Sequence, residues 1–224
     1  MTEEEWLRGI ELGSMVQHLN PSRYDRKLRL FAVACCRSVW STLDEHPEFQ
    51  RLIEASEDFA DGKVSQQHLR ESHGATVRHD QNRAHRAIRS GAAVYSASWT
   101  SSADSYLSCG RELAECMVSP EDLQRGGARV RFAIDQNLRL FANHLRDICG
   151  NPFRPVTFDP LWRTSDVVGL AQAMYEERAF ERLPILSDAL MEAGCERKQI
   201  IAHCRGEGTH VRGCWIVDLV LGKS

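Results

Sequence analysis

This sequence predicts an all-α fold, and three observations carry that expectation. Apolar residues recur every three or four positions along nearly the whole chain. No run alternates apolar and polar residues long enough to make a strand. Proline and glycine cluster at the ends of the periodic stretches. With 224 residues, 42% hydrophobic and 26% charged, the chain can bury a core without disulfides or metals as staples. The expectation is a single compact domain over residues 1–224 with about eight to ten helices, its C-terminal helical subregion starting at about residue 151.

The elements follow in order. Between Ser22 and Leu43, Leu28, Phe31, Cys35, Val39 and Leu43 make one apolar row, and Ala32, Cys36 and Trp40 a second beside it. That spacing predicts one helix of about six turns, with Pro21 near its start. Pro47 opens a second helix through Phe49, Leu52, Ile53, Ala55, Phe59 and Ala60, and Asp61-Gly62 stops it. Ser65 can cap a third, running through a polar stretch from Gln66 to Ser90. Tyr95, Trp99, Ala103, Tyr106 and Leu113 point to a helix between Gly91 and Met117. Ser119-Pro120-Glu121-Asp122 combines a cap residue, a first-position proline and acids at a positive helix end.

Gly126-Gly127 breaks that segment. Val130, Ile134, Leu138, Phe141, Leu145 and Ile148 then form the cleanest stripe in the chain, ended by Gly150. Pro152, Pro155 and Pro160 exclude helix from the connector that follows, and Phe153, Phe158 and Trp162 predict that it packs against the body. Short helices are expected from Ser165 to Arg178, Pro184 to Ala193, Arg197 to Cys204 and His210 to Leu221. The stripes before Leu43 and before Gly150 should form the centre.

The net charge of −3 gives no global pull toward nucleic acid or an anionic membrane. No apolar run approaches the roughly 20 residues that span a bilayer. The opening Met1-Thr2-Glu3-Glu4-Glu5-Trp6 is acidic, whereas a signal peptide opens basic and then apolar. These points lead to an expectation of a cytoplasmic protein. Eight cysteines fit reduced thiols better than a disulfide scaffold in a chain this long, and the adjacent Cys35 and Cys36 are poorly placed to bond each other.

Chemistry concentrates near the C-terminus. Cys204, His210 and Cys214 follow a C-x5-H-x3-C pattern, with Cys195 upstream as a fourth ligand. These are donors for a borderline metal such as zinc. His210 and Cys214, four apart, would share one helix face. Buried apolar thiols are the plainer explanation. A second candidate is a cysteine nucleophile: Cys204 or Cys214 activated by His203 or His210 beside Arg205 and Arg212, with Asp218 or Asp188 as the orienting acid. A third is anion binding by Arg205 and Arg212 at a glycine turn entering a helix; ion pairing is the plainer alternative. A fourth is nucleic-acid binding by the basic stretch from His68 to Arg89, holding Arg70, Arg78, Arg83, Arg86 and Arg89 with His73, His79 and His85. It lacks aromatic residues for base stacking and reads equally as a solvated helix face. Glu176-Glu177 and Glu57-Asp58 are adjacent pairs that cannot face each other on a helix.

Four strings stand out together: Asp25-Arg26-Lys27-Leu28-Arg29-Leu30-Phe31-Ala32 with Cys35-Cys36-Arg37; Arg146-Asp147-Ile148-Cys149-Gly150-Asn151-Pro152-Phe153-Arg154-Pro155; the stretch from Tyr175-Glu176-Glu177-Arg178 to Leu186; and His203-Cys204-Arg205-Gly206 with His210-Val211-Arg212-Gly213-Cys214-Trp215. In these the chain resembles an uncharacterised helical protein family abundant in planctomycete bacteria. The resemblance covers both ends and thins between Gly62 and Pro120. It implies a bacterial cytoplasmic setting and hands over no activity, cofactor or catalytic residue. With no cofactor fingerprint and no complete catalytic set, the expectation is a non-catalytic interaction or regulatory module with a protein partner. The alternatives are a metal- or thiol-dependent enzyme or metal-binding protein using the Cys/His cluster, and a nucleic-acid binder.

Overall fold

The structure is a computed structural model that describes residues 1–19, 24–76 and 110–223. It is all-α: helices carry the described residues and no strand occurs among them. The chain divides into two compact units, residues 1–142 and 143–224.

In the first unit, α1 (Glu3–Arg8) is closed by a capping box between Thr2 and Glu5, which satisfies two orphan backbone donors reciprocally. α2 (Leu12–His18) buries Leu12, Met15 and Val16. α3 (Asp25–Arg37) is buried over Leu28–Cys36. Arg29 is buried there too, pairing with Asp25 at 3.0 Å and lying over the Phe59 ring at 4.6 Å. The expected six-turn helix stops at Arg37, and Trp40–Leu43 form a separate 3-10 turn. The Ser38 hydroxyl donates back to the Ala34 carbonyl at 3.2 Å, and the β-branched Val39 follows, so the helical ladder loosens where two poor helix formers meet. The early end of that expected helix, Pro21 and Ser22, lies outside the described residues.

α4 (Pro47–Ala60) begins at its proline, as the sequence predicts, and packs on α3. Arg37 reaches the buried Glu57 at 2.8 Å, and Arg26 reaches Asp61 at 3.0 Å. Ser65 accepts the His68 N–H at 3.2 Å and opens α5 (Gln66–Thr76). The expected continuation to Ser90, and the helix expected around Tyr95, Trp99, Ala103 and Tyr106, fall outside the described residues. Residues 110–116 are helical. Gly110 sits so close to Leu12 that an added Cβ would lie 2.9 Å from its side chain.

α6 (Pro120–Arg125) starts with Ser119 accepting the Asp122 N–H at 3.1 Å. Gly126 and Gly127 adopt φ of 70° and 41° and break it from α7 (Gly127–Cys149). α7 runs through the boundary between the units. Its buried stripe is Phe141, Leu145 and Ile148, with Gly150 at φ 69° ending it.

The second unit takes in the proline connector and the C-terminal helices. Thr164 caps α8 (Ser165–Glu177) by accepting the Val167 N–H at 3.3 Å. Val167, Ala171, Met174 and Tyr175 face inward at helical spacing. Arg178 closes α8 in the left-handed conformation, the only non-glycine to do so among the described residues. α9 (Leu183–Glu192) adds Leu183, Leu186 and Leu190; α10 (Lys198–Cys204) adds Ile200 and Cys204; α11 (Trp215–Leu221) adds Ile216, Val217 and Val220. α8 packs on α9 and α11, and α9 on α10. The Arg163 guanidinium donates to the Leu219 carbonyl at 2.8 Å, tying the connector to the end of α11. No described helix is long and apolar enough to cross a membrane.

Candidate metal centre

Four side chains of the second unit converge. Asp147, His203, His210 and Cys214 each place one donor atom within 4.8 Å of all the others. They come from three places in the chain: the last turn of α7, the last turn of α10, and the loop between α10 and α11. A helix opening at His210 is not what forms. α11 starts at Trp215, with Cys214 as its N-cap residue. A local feature accounts for this, and a tertiary contact holds the loop that replaces the helix start. Gly213 has φ 93°, which a helix does not accommodate. The Val211 N–H is taken by the Asp147 carboxylate at 2.9 Å. His210 and Cys214 therefore meet through a loop rather than on one helix face.

Asp147 is the hub. Its Oδ1 accepts from His210 Nδ1 at 2.6 Å and lies 3.1 Å from His203 Nε2, while Oδ2 accepts from the Val211 N–H. His203 Nε2 is also 3.3 Å from Cys214 Sγ. The other ring nitrogen of His203, Nδ1, accepts the Trp215 indole N–H at 3.1 Å. The His203 ring packs edge-on against both His210 and Trp215. The second nitrogen of His210, Nε2, is buried and has no hydrogen-bond partner. A buried nitrogen without a partner costs free energy that the rest of the fold must offset.

Burial pushes the Asp147 carboxyl up, but hydrogen bonds and charge from His203 and His210 outweigh it, and its pKa ends below the ordinary carboxylate value. Burial, reinforced by Asp147, pushes the Cys214 thiol well above its ordinary value, although the backbone N–H groups of Val217 and Ile216 pull the other way. Cys204 is pushed up to about 12, first by burial, then by the nearby Cys195 and Asp147, against Arg205. A nucleophilic cysteine needs the opposite environment. The geometry also departs from a triad. There the acid holds the histidine nitrogen remote from the nucleophile. Here Asp147 and Cys214 both face Nε2 of His203, and Trp215 occupies Nδ1. Asp188, one expected orienting acid, pairs with Arg205 at 2.6 Å; the other, Asp218, is buried in α11.

The remaining candidates are distributed as follows. Of the four ligands suggested by spacing, His210 and Cys214 stand in the cluster. Cys195 and Cys204 belong to the apolar core of the unit, and Asp147 and His203 complete the set instead. Cys195, Cys204 and Cys214 are all reduced. Arg205 is engaged by Asp188 and Met191, and Arg212 lies over the buried Tyr175 ring at 4.5 Å, so each guanidinium has its own partner. In the basic stretch, Arg78, His79, Arg83, His85, Arg86 and Arg89 lie outside the described residues. Asp147 did carry a sequence signal: an acid in the last turn of a helix, against the macrodipole, next to an apolar stripe.

Fold and site together define an all-α protein with a largely buried mixed carboxylate, imidazole and thiol cluster in its C-terminal unit, its two histidines partly exposed. No protein-family model, curated protein or solved structure matches the chain.

Proposed function

We propose that this protein is a non-catalytic helical module that binds one divalent transition-metal ion, zinc by its donor set, through Asp147, His203, His210 and Cys214. The observation that carries the reading is the convergence of four such donors from three chain segments within 4.8 Å. A tetrahedral zinc ion with bonds of about 2.0–2.3 Å sets its ligand atoms roughly 3.3–3.6 Å apart. The 3.3 Å separation of His203 Nε2 from Cys214 Sγ meets that range, the 3.1 Å separation from Asp147 Oδ1 falls just short of it, and the 2.6 Å contact of His210 with Asp147 opens by up to about 1 Å when an ion enters. One carboxylate and one thiolate would balance the two charges of the ion, which matters where water is excluded. Four protein ligands and a buried position suit a structural tie rather than an open catalytic centre. The unactivated Cys214 supports the same side.

The wider setting belongs to this proposal. Buried reduced thiols suit a reducing cytoplasm. The resemblance to the planctomycete family includes all four cluster residues in its strings. A protein partner, rather than nucleic acid, is the ligand proposed for the module as a whole.

The test is cobalt(II) titration of metal-stripped protein, followed by absorption spectroscopy. The expected result is one equivalent bound, with tetrahedral d–d bands and a thiolate-to-cobalt charge-transfer band. Cys214→Ser should lose the charge-transfer band, and Cys195→Ser should keep it. Absence of any cobalt spectrum in the folded wild-type protein would refute metal binding.

A further inference from the structure

The indole of Trp215 donates to Nδ1 of His203 at 3.1 Å, and that contact bears on how the metal enters. An indole N–H is a donor and never an acceptor. Nδ1 of His203 must therefore present its lone pair, and the proton of the neutral ring must sit on Nε2. Yet Nε2 is the nitrogen that faces Asp147 Oδ1 and Cys214 Sγ. A metal ion needs the lone pair of the nitrogen it binds, and a neutral ligand histidine then carries its proton on the other nitrogen, where it donates to an acceptor. Metal on Nε2 would bring the Nδ1–H of His203 against the N–H of Trp215, two donors with no acceptor between them.

We infer that metal occupancy and the Trp215–His203 hydrogen bond exclude each other, so that binding at this site releases the Trp215 indole. The inference rests on the metal-binding reading above and deepens it into a metal-responsive device. At His203 the proton count is unchanged, and one proton leaves the site from Cys214. The Nε2 proton leaves as the metal–nitrogen bond forms, and Nδ1 takes up a proton as it loses the indole. The Cys214 thiol gives up its proton to solvent as sulfur coordinates.

The place of Trp215 determines what release can reach. It is the first residue of α11 and is only partly buried. Its ring lies against Gly150, where an added Cβ would stand 3.3 Å from the indole. Gly150 joins α7 to the proline connector, at φ 69°. An indole freed from His203 changes its contacts beside the junction where the connector leaves α7. The metal state is read out at a surface-accessible aromatic residue.

The experiment follows the indole N–H resonance of Trp215 in 15N-labelled wild-type protein, assigned with Trp215→Phe, during titration of the metal-free form with zinc. Calorimetry on the same samples reports binding independently. The expected result is an upfield move of the Trp215 indole proton that saturates at one equivalent. Trp215→Phe keeps the ring packing and removes the competing donor, and it should bind zinc roughly threefold to tenfold more tightly, the worth of one net hydrogen bond. Stoichiometric zinc binding with an unmoved indole resonance overturns this inference and leaves metal binding intact. Absence of binding heat with an unmoved resonance overturns both.

Discussion

Replacing Asp147 separates a structural hub from an incidental buried acid. In metal-stripped protein its carboxylate accepts from His210 Nδ1 at 2.6 Å, from His203 Nε2 at 3.1 Å and from the Val211 N–H at 2.9 Å. Bonds to an ionised acceptor contribute about 1.5–3 kcal/mol each, and a buried donor left without an acceptor costs about 1–3 kcal/mol. These terms overlap because the three donors share one residue, and the mutation also relieves the cost of burying the charge. Breaking a buried charged pair on one side costs about 3–5 kcal/mol, and that is the expected effect of Asp147→Ala.

Asp147→Asn is the informative partner. Its amide has one oxygen, while two different carboxylate oxygens accept in the wild type. His210 can change tautomer to accept from the new NH2 group. His203 cannot, because Trp215 holds its Nδ1 as an acceptor. At least one donor then faces another donor, and about 1.5–3 kcal/mol should be lost. The assay is urea unfolding followed by circular dichroism in chelator. With a slope of about 1–3 kcal/mol per molar, Asp147→Ala moves the midpoint by at least about 1 M, with Asp147→Asn between it and wild type. An Ala variant within about 0.5 kcal/mol of wild type, or an Asn variant equal to it, would refute the reasoning.

Three further outcomes follow from other parts of the structure. Phe141→Ala should destabilise the protein by about 3–5 kcal/mol, because Phe141 is fully buried in the α7 stripe and close to Gly110; an unchanged melting temperature would show that the centre of the first unit lies elsewhere. Gly150→Ala should cost about 1–2 kcal/mol for its left-handed backbone, and should also shift tryptophan emission, since the new methyl presses on Trp215. Burial lowers the His144 pKa from 6.5 to about 4, against the charge of Asp147. The unfolded chain therefore binds the extra proton between those values. Stability is full above pH 6.5 and falls by about 3 kcal/mol as pH drops to about 4. An imidazole NMR titration of His144 centred near 6.5 would contradict this.

Helix class and most helix starts were readable from local sequence, because caps and prolines act within one turn. Ser65, Ser119-Pro120 and Pro47 mark their helices where the structure has them, and Gly126 and Gly150 sit in left-handed backbone at helix ends. The helix read through Leu43 was too long, since apolar period alone does not register that Ser38 loosens the ladder at Arg37. The helix read from His210 starts only at Trp215, because Gly213 takes φ 93°, and the Asp147 carboxylate, far away in sequence, holds the preceding loop by the Val211 N–H.

The same division runs through the site. Residue chemistry by itself marked the C-terminal stretch as rich in donors, and His210 and Cys214 are among those that meet. Spacing could not choose their companions. Cys195 and Cys204 have the softer ligand chemistry, but Cys195, in the loop between α9 and α10, and Cys204, at the end of α10, lie in the apolar core outside the group of four, whereas Cys214 lies in both. Asp147 stands out in sequence only as an acid at a helix C-terminus, and His203 only as a histidine beside a cysteine; they become ligand candidates when the ends of α7 and α10 are brought to one loop. Local propensity acts over a few residues and is written in neighbouring letters. Convergence of four donors depends on how whole helices pack, and only the tertiary structure decides it.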